Sequence, residues 1–245
     1  MSSLQGRHAL VTGGGRGIGR AIAAALSAAG ANVTVVGRTE KSLQEAAAAG
    51  DAKGWIVGDV TQPEAVIDNL RVIETVRGPV DILVANAGGA DSAPFAETTP
   101  DQFRGMFELN VMGVVNTTQA VLGSMIERKF GRVIAIASTA GVKGYGYVSA
   151  YCAAKHAVVG LARTLANELG PRNIRVNTVH PGGVATPMIY NEAMAEWSGE
   201  HPSFSPSQQP LLNSPPVEPE VISDTMVYLC GASGRFEITS AISAA

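Results

Sequence analysis

Thr12-Gly13-Gly14-Gly15-Arg16-Gly17-Ile18-Gly19 is the stretch on which the reading of this chain turns. It follows the apolar run His8-Ala9-Leu10-Val11 and opens a helical pattern over residues 17–29. A strand that passes through glycines straight into a helix sets a tight turn at a helix N-terminus. There, unpaired N–H groups and the positive end of the helix dipole favour an anion. Glycines also let a pyrophosphate approach the backbone closely. The strand before and the helix after separate such a turn from a flexible glycine cluster, which is the plainer alternative. Gly13, Arg16, Gly17, Ile18 and Gly19 are the first candidate cofactor-binding residues.

Outward from this turn, apolar runs alternate with helical patterns. Strands are expected at 8–12, 32–36, 55–57, 81–85, 132–138 and 174–179, and helices at 17–29, 40–49, 63–76, 100–128 and 150–170. The strand runs are continuously apolar, as for strands covered on both faces. This rhythm predicts an α/β fold with a doubly wound parallel sheet, a Rossmann fold, in one domain spanning 1–245. A helix at 218–229 and a strand at 237–242 would complete it. Residues 186–219 differ. Prolines including Pro187, Pro202, Pro206, Pro210, Pro215 and Pro216 break that stretch, while Met188, Ile189, Tyr190, Met194 and Trp197 make it apolar. It reads as a plain loop or, more pointedly, as a substrate lid. Helices 100–128 and 150–170 are apolar on more than one side, which suits core packing and also a homodimer or homotetramer interface.

Composition narrows the class. The 245 residues are 46% hydrophobic and 16% charged, with a formal charge of −3. A sizeable core follows, and disorder does not. Nothing points to a nucleic-acid or acidic-membrane partner. Cys152 and Cys230 are the two cysteines, in no disulfide or metal-site spacing, as in a reducing compartment. Residues 1–7 are short and polar, so no signal peptide is expected, and no uninterrupted apolar run reaches the roughly 18 residues of a membrane span. The expected location is cytoplasmic, and no metal is expected.

The second strand bears on cofactor choice. Binders of NAD place an acid at its end, about 20 residues past the glycine turn, to hold the ribose 2′-hydroxyl. Here the strand ends Val35-Val36-Gly37-Arg38-Thr39, with Gly37 in place of the acid. Arg38 and Arg16 suit a 2′-phosphate, because a guanidinium grips phosphate with a two-pronged fork. NADP(H) is favoured over NAD(H), unless Arg38 is simply a solvated loop residue.

Tyr151-Cys152-Ala153-Ala154-Lys155 puts a phenol and an ammonium at i and i+4, on one helix face. A phenol ordinarily titrates near ~10. A neighbouring cation is expected to lower that value and fit Tyr151 for proton transfer near neutrality.

With these pieces in place, the chain resembles the short-chain dehydrogenase/reductase family along nearly its whole length. The resemblance rests on Thr12-Gly13-x-x-x-Gly17-x-Gly19, Asp59-Val60, Asn86-Ala87-Gly88-Gly89, Asn110, Ser138, Tyr151-x-x-x-Lys155 and Pro181-Gly182-x-Val184-x-Thr186, in the family's order. It implies that Asp59 and Val60 meet the adenine. Asn86, Ala87 and Gly88 would line its ribose and steady the central strand. Asn110 would sit at a helix break and hold a water that links Lys155 to solvent. Ser138 would bind the substrate oxygen. Tyr151 would act as general acid or base, with Lys155 lowering its pKa and gripping the nicotinamide ribose. Pro181, Gly182, Val184 and Thr186 would fix the nicotinamide. One departure concerns the C-terminal stretch 238–245, where Ser240 stands in place of the family's usual glycine and the acidic tail is missing.

Ser138, Thr139, Tyr145, Tyr147, Val148, Tyr151, Met188, Ile189 and Trp197 are the candidate pocket residues, mostly apolar with a few hydroxyls. The expected activity is hydride transfer between NADP(H) and a small-molecule ketone or secondary alcohol. A 3-oxoacyl thioester and an alicyclic or aryl ketone both remain open as substrate. The competing readings are a non-catalytic dinucleotide-binding sensor or scaffold, which the intact Asn110, Ser138, Tyr151 and Lys155 oppose, and a sugar-nucleotide isomerase or dehydratase, which the length opposes.

Overall fold

The computed structural model describes residues 4–188 and 216–232, and residues 241–244 by their backbone. In chain order the elements are β1 (His8–Thr12), α1 (Gly17–Ala28), β2 (Asn32–Gly37), α2 (Glu40–Ala48), β3 (Gly54–Val57), α3 (Pro63–Arg77), β4 (Ile82–Ala85), α4 (Pro100–Phe107), α5 (Gly113–Arg128), β5 (Gly131–Ile136), α6 (Ser149–Leu169), β6 (Ile174–Pro181), α7 (Pro219–Cys230) and β7 (Ala241–Ala244). The strands form one parallel sheet in the order β3-β2-β1-β4-β5-β6-β7. This is the doubly wound arrangement expected. The chain reverses its direction of winding between β1 and β4, and a crevice opens at that point beyond the C-terminal strand ends.

Both faces of the sheet are covered, which is why no two-residue alternation shows in the strand sequences. Ala9 and Val11 of β1 join Ile22, Leu26, Ile222 and Met226 on one side, while Leu10 joins Leu83, Val121, Met125 and Val158 on the other. Each such side chain contributes roughly 1.5–3 kcal/mol by leaving water, so the strand ends that carry the site rest on a rigid base. At the opposite end, Arg128 pairs with Asp81 and donates to the Val80 carbonyl at 2.6 Å.

Two expected elements take a different form. Helix 100–128 is interrupted. It starts with a reciprocal cap, in which Thr99 Oγ1 accepts from the Gln102 backbone at 3.2 Å and Gln102 Oε1 accepts from the Thr99 backbone at 2.8 Å. Over Glu108–Met112 it then widens into a π-helical turn. The extra residue breaks the i→i+4 ladder and turns Asn110 into the interior. The strand expected over 132–138 ends at Ile136, and Ser138 instead opens a 3₁₀ turn over Thr139–Gly141. Residues 241 and 242 of the strand expected over 237–242 fall in β7, which pairs with Thr178–Pro181 of β6. Residues 237–240 lie outside the described set. No described helix is long and apolar enough to cross a membrane.

Candidate active site

The crevice is a groove of about 400 Å³, within the range of small-molecule sites. Gly13, Arg16, Gly17, Ile18, Gly19, Arg38, Asp59, Val60, Asn86, Ala87, Gly88 and Thr186 all line it, so the structure gathers residues from five separate segments into one cleft. Its floor is stitched by hydrogen bonds. Thr12 Oγ1 accepts the backbone N–H groups of Asn86 and Ala87 at 3.0 Å each. Asn86 Nδ2 returns to the Thr12 carbonyl at 2.9 Å. Gly13 N–H donates to the Val36 carbonyl at 2.7 Å, and Gly13 has φ +65°, which is costly for any residue with a Cβ. Helix α1 lies so close that a Cβ on Gly19 would come within 2.3 Å of the Gly13 oxygen. These contacts leave the exposed edge of the turn and the start of α1 free to cradle a pyrophosphate, and the donor set fits a dinucleotide.

At the far end of β2, Gly37, Arg38, Thr39 and Ser42 line the groove together with Asp59. The Asp59 carboxyl is held below its usual value, first by the Thr61 backbone N–H and then by the Thr61 hydroxyl and the Arg38 charge, against partial burial. Arg38 is therefore close enough to be felt at the Asp59 carboxyl. Thr39 and Ser42 were not among the expected site residues, and only α2 docking beside the groove reveals them. Val60 is fixed from behind by Asn116 Nδ2, which donates to its carbonyl at 2.9 Å. Val184 is buried and bridges to Val217, and Thr186 packs over Gly17. Pro181 closes β6, with Gly182 beside it.

The candidate proton-transfer residues converge where β5, α6 and the π turn meet. Asn110 is fully buried. Its Nδ2 donates to the carbonyls of Gly89 and Met106 at 3.0 Å each, and its Oδ1 accepts from Gly89 N–H at 3.3 Å. It thereby pins the Gly88-Gly89 loop. A Cβ on Gly88 would lie 3.5 Å from Lys155 Nζ, so Lys155 faces that loop. Lys155 Nζ donates to the Ile136 carbonyl at 2.9 Å and sits 5.6 Å from the centre of the Tyr151 ring. The Ser138 side chain lies close enough to the Tyr151 phenol to favour its charged form, and Ser138 Oγ accepts from Ala140 N–H at 3.1 Å. Asn110 and Lys155 both face Gly88, which lines the groove, and Tyr151 adjoins Lys155 behind it.

One expectation is corrected. Lys155 is expected to lower the pKa of Tyr151, but burial pushes the phenol up to about 12 and the nearby Ser138 side chain offsets only part of the rise. Burial also pushes Lys155 down to about 8. The physical reason is that the ammonium turns to the Ile136 carbonyl, while the phenol loses water around its charged form. At neutral pH the proton therefore rests on Tyr151.

The pocket wall is partly defined. Tyr145 donates to Thr139 Oγ1 at 2.8 Å and stands under Lys143, with Nζ 4.8 Å from the ring centre. Tyr147 has φ +64°, a strained value for a non-glycine residue, and its carbonyl accepts from Ala93 N–H at 2.8 Å. Met188 lies at the groove mouth and is exposed. Ile189 and Trp197 fall outside the described residues, as does most of the expected lid. Among the described residues no cluster of His, Cys, Asp and Glu could hold a metal.

Comparison with known proteins agrees with this geometry. The short chain dehydrogenase family model matches residues 7–197, from β1 through the Tyr151–Lys155 helix and beyond. The chain belongs to the short-chain dehydrogenase family. It is an oxidoreductase of that family, similar to a 3-oxoacyl-(acyl-carrier-protein) reductase of Haemophilus influenzae, with 40% identity over 76% of this chain and 77% of the relative. It is also similar to an acetoacetyl-CoA reductase of Shinella zoogloeoides, with 36% identity over 97% and 96%. Among solved structures, a short chain dehydrogenase from Mycobacterium paratuberculosis, described as bound to NAD, superposes with a TM-score of 0.90 at 33% identity, covering 98% of this chain and 97% of that one.

Proposed function

We propose that this dehydrogenase interconverts a ketone and a secondary alcohol with NADP(H), and that Tyr151 is its general acid and base. The observation that carries the reading is the meeting of the Ser138 side chain with the Tyr151 phenol, with Lys155 Nζ 5.6 Å from the Tyr151 ring centre, next to a groove whose glycine turn suits a dinucleotide. When bound, the nicotinamide cofactor supplies or takes up the hydride. In reduction, Ser138 Oγ and Tyr151 Oη orient the carbonyl oxygen. As negative charge grows there, the Tyr151 proton passes to it, completing the hydroxyl. The phenol is protonated at neutral pH and so is available as the donor. Lys155, still mostly charged at neutral pH, faces the Gly88 loop, where it would grip the nicotinamide ribose, and Asn110 keeps that loop in place.

The choice of NADP(H) over NAD(H) rests on Gly37 where an acid would hold the ribose, and on Arg16 and Arg38 at the 2′ position, with the hydroxyls of Thr39 and Ser42 beside them. The substrate is a small carbonyl compound. The relatives' names favour a 3-oxoacyl thioester, while the mostly apolar pocket residues also suit an alicyclic or aryl ketone. The stretch 186–219 would act as the lid. Exposed Phe107 and Met112 support assembly of a homodimer or homotetramer through 100–128 and 150–170. No specific observation favours the non-catalytic reading.

The test is NADPH oxidation against a panel of ketones and 3-oxoacyl thioesters, with NADH in parallel. Turnover with NADPH well above NADH is expected, and the best substrate names the class. Tight NADPH binding with no turnover on any of them would overturn the assignment.

A further inference from the structure

His180 is completely buried and lies outside the four candidate proton-transfer residues. It occupies β6 immediately before Pro181. Its Nδ1 lies 3.1 Å from the Ser138 carbonyl oxygen and its Nε2 lies 2.9 Å from Thr178 Oγ1. A carbonyl oxygen can only accept, so Nδ1 carries the proton and Nε2 of the neutral ring accepts from the Thr178 hydroxyl. Burial disfavours the charged ring, and the Arg163 and Lys155 charges add to this against the opposing Ser138 carbonyl. The tautomer is thus set from both sides.

The place of Ser138 gives this contact its meaning. Ile136 is the last residue of β5, and one further bond, from Ala137 N–H to the Val179 carbonyl at 2.8 Å, carries the pairing just past it. Ser138 lies beyond that bond, where the sheet ladder no longer dictates its position. The carbonyls of Ile136 and Ser138 each take one side-chain donor, Lys155 for the first and His180 for the second. The Ser138 carbonyl also accepts from Gly141 N–H at 2.8 Å within the 3₁₀ turn, but that bond moves with the turn. The His180 contact is the one that ties Ser138 back to the rigid sheet.

We propose that His180 is a positioning residue, whose Nδ1–H holds the Ser138 backbone so that the hydroxyl stays aligned with the Tyr151 phenol. The proposal rests on the reading of Ser138 as the residue that binds the substrate oxygen. It separates two otherwise similar substitutions. The side-chain amide nitrogen of asparagine falls where Nδ1 lies, and that of glutamine falls where Nε2 lies. His180→Asn therefore preserves the donor to Ser138, while His180→Gln and His180→Leu remove it.

The experiment measures kcat and KM of these three variants with NADPH and the best ketone of the panel, together with NADPH affinity by fluorescence and the melting temperature. His180→Asn is expected to keep most of kcat. Gln and Leu should lose roughly tenfold to hundredfold of kcat, the scale of a misplaced reacting group, with NADPH affinity nearly unchanged. Equal kcat for the Asn and Gln variants, or losses that simply follow melting temperature, would overturn the proposal. Ser138→Ala is run beside them. If it stays active, the reading of Ser138 has failed. If it is inactive while Gln and Leu match the parent, only the role of His180 has failed.

Discussion

Replacing Gly19 by alanine pits two effects against each other, and their magnitudes decide the outcome. Within a helix, alanine is favoured over glycine by about 1 kcal/mol. At this position the new Cβ would stand 2.3 Å from the Gly13 carbonyl oxygen, 2.5 Å from Asn86 Nδ2 and 2.9 Å from the Gly13 carbonyl carbon, where ordinary contact starts near ~3.5 Å. Relief therefore needs a shift of about 1 Å. Gly13 cannot give way freely, because it is tied to Val36 and its φ is already positive. Asn86 cannot give way without losing its bonds to the carbonyls of Thr12 and Gly13. Overpacking costs roughly 1–3 kcal/mol and a buried carbonyl left unpaired about 1–3 more. Net of the helix gain, the variant should be less stable by about 1–5 kcal/mol, a fall in Tm of roughly 2–20 °C for a chain of this size. Displacing the start of α1 should also weaken NADPH binding. Thermal unfolding with and without NADPH measures both effects. A Gly19→Ala protein with parental Tm and parental affinity would refute the close-approach argument.

Other outcomes follow from the same geometry. Tyr151→Phe should reduce turnover by at least 10²–10⁴-fold with NADPH affinity within a few-fold of the parent, and substantial residual reduction would remove Tyr151 as the proton donor. Arg38→Asp should shift preference from NADPH toward NADH by on the order of tenfold or more, read as the ratio of kcat/KM values, and an unchanged ratio would mean that the 2′-phosphate is held elsewhere. Lys155 has a folded pKa of about 8, below its unfolded value, so between those two values the unfolded chain binds more protons and stability rises with pH. Lys155→Met lacks this group, and the stability of the parent relative to the variant should climb by up to about 3 kcal/mol from pH 8 to 10.5, as measured by denaturant unfolding. A flat difference would contradict the buried, depressed ammonium. For the same reason kcat/KM for reduction should decline above about pH 8 as Lys155 loses its charge.

Much of this protein is legible in its sequence because the informative patterns are local. The Gly13–Gly19 turn is decided by neighbours on the chain: a strand before it, a helix after it, and glycines where a Cβ would collide. Tyr151 and Lys155 share a helix face by spacing alone. Strands buried on both faces show as unbroken apolar runs, and that by itself implies helices on both sides of a parallel sheet. Gly37-Arg38 poses the cofactor question without any coordinates. What depends on tertiary packing could not be read this way. Ser138 leaves its strand earlier than its apolar run suggests, because pairing with β6 stops soon after Ile136. Asn110 turns inward only because the π turn shifts its phase. The phenol of Tyr151 rises instead of falling, since desolvation is set by everything packed around it and not by one residue four positions on. Thr12, Ser42, Asn116 and His180 belong to the site through partners far away in the chain, which local periodicity does not encode. Sequence spacing determines which element a residue joins. Only the assembled sheet decides which carbonyl, charge or cleft that residue then meets.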